Sequence, residues 1–159
     1  MTVGPRIVFV RFLSSDSPKL TPWRTHAARV LGQAVSETAQ QSGDDESRLV
    51  WQLVSGNNRQ LARSVGVFSS FEAATVEVQT VVDAGDNLDV HLTSEAGRGV
   101  YGWYANVAGQ PVITCARWYF TDRDRRQAVD LALRSVPHAI LHVGARLTDP
   151  ALLGGSNVR

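Results

Sequence analysis

The chain has few of the residues that mark specialised classes of protein. Its 159 residues include one cysteine, Cys115, so no intrachain disulfide can form. Lysine occurs once, at Lys19, against 15 arginines, and a formal net charge of +1 gives no global attraction to nucleic acid or to an anionic membrane. No apolar run approaches the roughly 20 residues that span a bilayer. The apolar run near the N-terminus, Ile7 to Val10, is too short for the core of a signal peptide. These absences predict a cytoplasmic protein without a membrane-spanning segment.

The sequence also lacks the short motifs of common active sites. It contains no Gly-x-Ser-x-Gly nucleophile elbow, no phosphate-binding GxxxxGK[ST] loop and no GxGxxG. The stretch Gly97-Arg-Gly99 is too short and does not lie at the required strand-to-helix junction. We therefore predict a non-enzymatic protein with no cofactor, and no small-molecule substrate is identified.

What the sequence does contain is one block that appears twice, at an offset of 52 residues. An internal period near this length predicts a repeated supersecondary unit. The paired positions are Trp51 and Trp103, Gly56–Asn57 and Ala108–Gly109, Leu61 and Ile113, Phe68 and Phe120, Ser69 and Thr121, and Glu72 and Asp124.

Alternating apolar residues, turn residues and capping signals predict the order of the elements. Thr21 and Pro22 form a typical helix start, and an apolar stripe follows to Gln41. Ser69-x-x-Glu72 and Thr121-x-x-Asp124 each form the signature of a helix N-terminus. The predicted strands are 6–14, 49–54, 59–68, 88–94, 100–107, 110–119 and 138–147, and the predicted helices are 22–41, 71–82 and one that follows Thr121 and ends at Pro137.

The predicted fold class is α+β, with an antiparallel sheet built from two tandem βββα repeats and an extra N-terminal amphipathic helix. One compact domain would divide into four parts. These are 1–47, the N-terminal strand and inserted helix; 48–83, the first repeat with its hairpin and helix; 84–137, the second repeat; and 138–159, a C-terminal strand and frayed tail.

This pattern resembles the YegP-like tandem-repeat proteins, a family of unknown function. The matching stretches run from Trp51 to Glu72 and from Tyr101 to Asp122. The resemblance implies tandem βββα units in an α+β fold, often as a homodimer, and it supplies no catalytic residues. The chain departs from the family at both hairpin turns, since Gly56–Asn57 reverses the Asn-Gly pair and Ala108–Gly109 lacks the asparagine. The helix 22–41 is a further departure.

Two groups of residues could carry chemistry. His138 and His142 are four residues apart and could bind zinc with a distant third ligand such as His91 or Asp149, but the alternative is two ordinary histidines on one element. Cys115 lies in an apolar strand and could be a thiolate nucleophile or, as is usual for a free cysteine, a small buried hydrophobe.

The remaining candidates are surfaces. Asp122 to Asp130 is a dense run of mixed charge that could contact phosphate or form a solvated first helical turn. The aromatic residues of the second hairpin predict an interaction surface at Trp103, Tyr104, Arg117 and Tyr119, and the alternative surface is the exposed side of helix 22–41. The leading hypothesis is a protein–protein interaction or assembly module, either homodimeric or an accessory subunit of a larger complex. The alternative is a nucleic-acid-binding module that uses this aromatic and arginine-bearing sheet surface.

Overall fold

The computed structural model describes residues 4–32 and 47–147, and of 142–147 it describes the backbone alone. Predictions for the rest of helix 22–41, the tail and Asp149 lie outside the described residues. The described elements are β1 (Arg6–Phe12), α1 (Leu20–Leu31), β2 (Arg48–Val54), β3 (Gln60–Ser64), α2 (Phe71–Ala84), β4 (Asp89–Glu95), β5 (Val100–Val107), β6 (Gln110–Cys115), α3 (Asp122–Ser135) and β7 (Ile140–Leu147), with short 3-10 turns at Gly85–Asn87, Ala96–Arg98 and Val136–His138.

The strands form one mixed sheet in the order β4-β5-β6-β3-β2-β1-β7. Neighbouring strands are antiparallel except for β1 and β7, which run parallel. The prediction of a wholly antiparallel sheet is therefore wrong at this one pairing. A parallel neighbour requires a long crossover, and here the crossover contains every element between β1 and β7.

Helices α2 and α3 pack against the same face of the sheet. Trp51 on β2 donates a hydrogen bond to Glu77 on α2, and Phe9 on β1 contacts the Phe71 ring at 4.7 Å between ring centres. At the other end of the sheet, Trp103 of β5 is fully buried in the same core. Burial of large aromatic side chains is a major source of stability, so this face carries the main core.

Both of these helices begin at a hydroxyl side chain. Thr121 accepts a hydrogen bond from the Asp124 N–H at 3.0 Å, as the sequence predicts. In α2 the cap is Ser70, whose Oγ accepts from the Ala73 N–H at 3.1 Å. The predicted cap at Ser69 is thus one residue early, because two adjacent serines offer the same chemistry and Ser70 adopts the extended cap conformation.

Helix α1 lies on the opposite face of the sheet. Its Trp23 packs on Phe12 of β1 and under the Arg63 guanidinium of β3. The helix starts at Leu20 rather than at the predicted Pro22, and it ends at Leu31. Gly32 ends it, because this glycine adopts the left-handed conformation with φ 74° and donates its N–H to the Ala28 carbonyl. The predicted helix 22–41 has Gly32 in its interior, so this glycine is a stop signal that the apolar stripe does not reveal.

Arg125 attaches α3 to the β4–β5 end of the sheet. Its side chain is 8% exposed, and one terminal nitrogen donates to the Thr93 carbonyl of β4 at 2.8 Å and to the Gly102 carbonyl of β5 at 3.4 Å. The other terminal nitrogen pairs with Asp122, and the guanidinium carbon lies 5.1 Å from the centre of the Tyr101 ring. One buried cation therefore contacts two strands and the helix together.

We expect Arg125→Met to lower the free energy of unfolding by about 2–4 kcal/mol, because it leaves buried carbonyl oxygens without donors. Chemical denaturation followed by circular dichroism measures the change. Arg126→Met is the matched control, since Arg126 lies on the exposed side of the same turn and its guanidinium pairs with the same Asp122 carboxylate. We expect it to change stability by less than about 0.5 kcal/mol. Equal losses in the two variants would contradict the structural role of Arg125.

Candidate functional site

The four residues of the predicted interaction surface do not form one surface. Trp103 is 0% exposed and belongs to the core. Tyr104 lies on the sheet face that α1 packs against, because it pairs with Thr114, which in turn pairs with Arg63, whose guanidinium lies over Trp23. Arg117 and Tyr119 line a pocket beside α3, on the other face. Alternation along β5 places Trp103 and Tyr104 on opposite faces, but it does not reveal which face is covered.

Tyr104 has a ring partner on the edge strand. It stacks on His91 of β4 with ring centres 5.0 Å apart and planes tilted by 12°. The His91 imidazole also contacts the Asp89 carboxylate at 3.0 Å. These contacts are local to the β4–β5 end of the sheet, and Arg117 and Tyr119 have no part in them.

The two candidate chemistries from sequence find little support in the described residues. Cys115 is 0% exposed, and burial raises the pKa of its thiol to about 11, so the reactive thiolate is disfavoured at neutral pH. His138 is exposed in the 3-10 turn before β7. No group of three potential metal ligands occurs among the side chains that the structure describes, and the His142 side chain lies outside them.

The charge run at the start of α3 is largely paired within the helix. Asp122 pairs with both Arg125 and Arg126, and Arg134 pairs with Asp130 at 3.2 Å. Acids in the first turn and a base in the last turn suit the helix dipole. This arrangement favours the interpretation as a helix-stabilising charge pattern over a phosphate-contacting patch.

The first site that sequence reasoning missed is a groove between β4 and α3. Its cavity volume is about 320 Å³, and it is lined by Val90, Leu92, Val129 and Leu133, with Arg126 and Asp130 also contributing. Leu92 is 41% exposed although it is a large aliphatic residue. The alternating apolar residues of β4 give the only sequence signal, and that signal does not say that α3 leaves part of this face open.

The second missed site is the pocket that contains Tyr119. Its volume is about 310 Å³, and its walls come from the start of β3, the segment after β6 and one flank of α3. Arg59 and Arg117 supply positive charge, and Tyr119 supplies a hydroxyl. Because the start of β3 is far in sequence from the other two segments, no local motif predicts the whole pocket.

A partly buried acid, Glu77, lies on the side of α2 that faces the sheet. The Trp51 indole N–H donates to the Glu77 carboxylate at 2.9 Å, and Trp51 is 1% exposed. Burial raises the pKa of Glu77 from 4.5 to about 7, although the indole hydrogen bond acts in the opposite direction. Trp103 lacks such an acceptor among the described residues, since its indole nitrogen is buried without a hydrogen-bond partner.

The described residues define a protein of the α+β class with a mixed seven-stranded sheet and three α-helices. No helix among them combines the length and apolar character needed to cross a bilayer. No model of a known protein family matches the chain, and no curated protein matches it.

Among solved structures, the chain is similar to the solution NMR structure of a protein of unknown function, yegP from E. coli. The TM-score is 0.50 at 12% sequence identity, and the match covers 94% of this chain and 95% of that chain. At this identity the likeness shows the fold alone. It agrees with the YegP-like resemblance of the sequence and carries no activity to transfer.

We expect Glu77 to make the protein less stable as pH rises through about 7. The folded state holds the Glu77 proton more tightly than the unfolded chain, whose pKa is near 4.5, so this contribution to stability is complete below pH 4.5 and lost above about 7. The expected loss is roughly 3 kcal/mol across that window. Thermal unfolding between pH 4.5 and 8 measures it, and Glu77→Gln should remove it while retaining an acceptor for Trp51.

Comparison of Glu77→Gln with the wild type and with Glu72→Gln isolates the contribution of Glu77. Burial lowers the pKa of His26, so His26 contributes the opposite pH dependence in wild type and variant alike. Glu72→Gln is the matched control, because Glu72 is an exposed acid on the same helix. The role of Glu77 would be disproved if Glu77→Gln and wild type had parallel stability curves across this pH range.

Proposed function

We propose that this protein is a protein–protein interaction module whose contact surface is the outer edge of β4 together with the β4–α3 groove. The observation that carries the proposal is the juxtaposition of the two features. In the described residues β4 is the last strand of the sheet on its side, and the apolar groove runs beside it. An exposed edge strand offers N–H and C=O groups to a further strand, and a groove beside it can receive that strand's alternate side chains.

The groove suits aliphatic side chains. Val90 and Leu92 from β4 form one wall, and Val129 and Leu133 from α3 form the other. Arg125 holds α3 to β4 through the Thr93 carbonyl, so the walls keep a fixed separation. A preformed groove lowers the ordering cost of binding.

The occupant that we propose is an extended segment of another protein with aliphatic residues at alternate positions. A second copy of this chain is disfavoured, because antiparallel pairing of β4 with itself about Leu92 would place Asp89 opposite Glu95. Like charges directly opposed across two strands are destabilising. The homodimer implied by the YegP-like resemblance therefore remains as an alternative outcome of the test.

A nucleic-acid-binding role has less support than protein binding. That hypothesis requires aromatic and arginine side chains on one accessible face. Here Trp103 is in the core, and Tyr104 and Tyr119 lie on opposite faces. No other described feature favours it.

We further propose that β1–β2–β3–α2 and β4–β5–β6–α3 are two copies of one βββα unit, with α1 inserted in the first. The support is their shared order of elements, the hydroxyl caps at Ser70 and Thr121, and matching isolated bridges. Phe68 bridges to Leu49 in the first unit and Tyr119 bridges to Tyr101 in the second. The geometric counterpart of Phe68 is thus Tyr119 rather than Phe120, which is 79% exposed.

A photo-crosslinking amino acid placed at Leu92 in the native cell should capture a segment of another protein. The same amino acid at Val76, an exposed aliphatic position of α2, is the matched control. A synthetic peptide of the captured segment should bind the purified protein, and Leu92→Lys should weaken its Kd at least tenfold, whereas Val76→Lys should not. The reason is that a charge in the groove excludes aliphatic side chains.

Several results would overturn the proposal. Crosslinking of the Leu92 position to a second copy of this chain, together with a dimer mass in light scattering that Leu92→Lys abolishes, would make the surface a homodimer interface. Capture of nucleic acid would favour the alternative function. Equal capture at the two positions would show that the groove has no specific partner.

A further inference from the structure

We propose that the pocket between β3, the segment after β6 and α3 is a binding site for a small organic carboxylate that also carries an amine and an aliphatic side chain. This site is separate from the β4–α3 groove, since the two share no lining residue. Its volume of about 310 Å³ lies at the lower end of the range for small-molecule sites.

The pocket has two arginines that are free to bind an anion. Arg59 comes from the chain just before β3, and Arg117 comes from the chain just after β6. Within the part of the chain that the structure describes, neither guanidinium forms an ion pair or donates a hydrogen bond to a protein group. By contrast, Arg29 and Arg98 both bind Glu95. Two unpaired guanidinium groups at one cavity form a binding site for a carboxylate.

Tyr119 adds a hydrogen-bond donor at the same place. The Arg117 guanidinium carbon lies 6.0 Å from the centre of the Tyr119 ring. Burial raises the pKa of Tyr119, so its hydroxyl keeps its proton at neutral pH and can donate to an oxyanion. Arg59, Arg117 and Asp124 line the same pocket as this phenol, so the four groups surround one space.

The other walls define the rest of the ligand. Leu61, Ala128 and Leu131 provide an apolar surface, and Leu61 is 6% exposed. Asp124 brings a carboxylate and Gln127 an amide to the same pocket. A bare inorganic anion would gain nothing from the apolar walls and would be repelled by Asp124. A molecule with a carboxylate, an aliphatic body and an amine matches all three kinds of wall.

Titration of the isotopically labelled protein with four probes tests the site. The probes are leucine, isocaproate, isoamylamine and inorganic phosphate, so that the amine, the carboxylate and the aliphatic body are each present or absent. We expect the NMR chemical shifts of the Arg117, Tyr119 and Gln127 backbone amides to change and saturate with leucine. Isocaproate should produce the same changes with lower affinity. Isoamylamine and phosphate should bind at least tenfold more weakly than leucine.

Variants assign the contacts. Arg59→Gln, Arg117→Gln and Tyr119→Phe should each weaken leucine binding at least tenfold, and Asp124→Asn should reduce the advantage of leucine over isocaproate. Arg123→Gln is the matched control, because Arg123 is exposed on α3 and does not line the pocket. The site would be rejected if no probe gave saturable shifts, if isoamylamine or phosphate bound as tightly as leucine, or if the pocket variants bound as wild type does. None of these results depends on the β4 edge.

Discussion

The packing of α2 and α3 on one face of the sheet is the interaction on which the rest of the structure depends. Trp51 and Trp103 are both fully buried beneath these helices, and such indoles contribute more apolar area than any other core side chain. The two tryptophans differ in the hydrogen bonding of the indole nitrogen. Trp51 donates to Glu77, whereas Trp103 has no acceptor among the described residues. The second half of the molecule is held instead by Arg125, which connects α3 to the carbonyl groups of both β4 and β5.

The opposite face is closed by α1 in a different way. This helix has 12 residues and is about 18 Å long, whereas the seven-stranded sheet is about 29 Å wide across its strands. The helix is therefore shorter than the sheet is wide. Its buried residues Leu20, Ala27 and Val30 are aliphatic, and polar and aromatic contacts add to them. His26 donates to the Cys115 carbonyl at 2.8 Å and packs edge-on against Trp118, and Arg29 binds Glu95. Trp118 in turn lies so close to Gly102 that a Cβ there would be 2.9 Å from its ring, so this packing requires glycine.

Much of the local structure could be predicted from the sequence, because strands and caps depend on neighbouring residues. The bounds of β5 and the cap at Thr121 agree with the alternation and the capping signature. The parallel pairing of β7 with β1 could not be predicted, since strand direction depends on a crossover of more than 100 residues rather than on the strand itself. The predicted surface at Trp103, Tyr104, Arg117 and Tyr119 fails because it also depends on tertiary structure. Trp103 lies in the core, Tyr104 lies on the face that α1 covers, and the other two residues lie beside α3. Alternation says that neighbours along a strand point apart, but only the tertiary structure says what covers each side.

The two sites that sequence reasoning missed lie on opposite flanks of α3. Val129 and Leu133 line the groove, and Gln127 and Leu131 line the arginine pocket. This arrangement follows from the position of α3 over the sheet. The helix covers only part of the sheet surface beneath it, so a cleft remains on each of its two sides. Since Arg125 anchors the first turn of α3 to β4 and β5, the β4–α3 groove cannot widen there without breaking buried hydrogen bonds. That groove is therefore preformed, and preformed clefts favour binding. A helix held in this way also gives no mechanism by which filling one cleft would move the wall of the other.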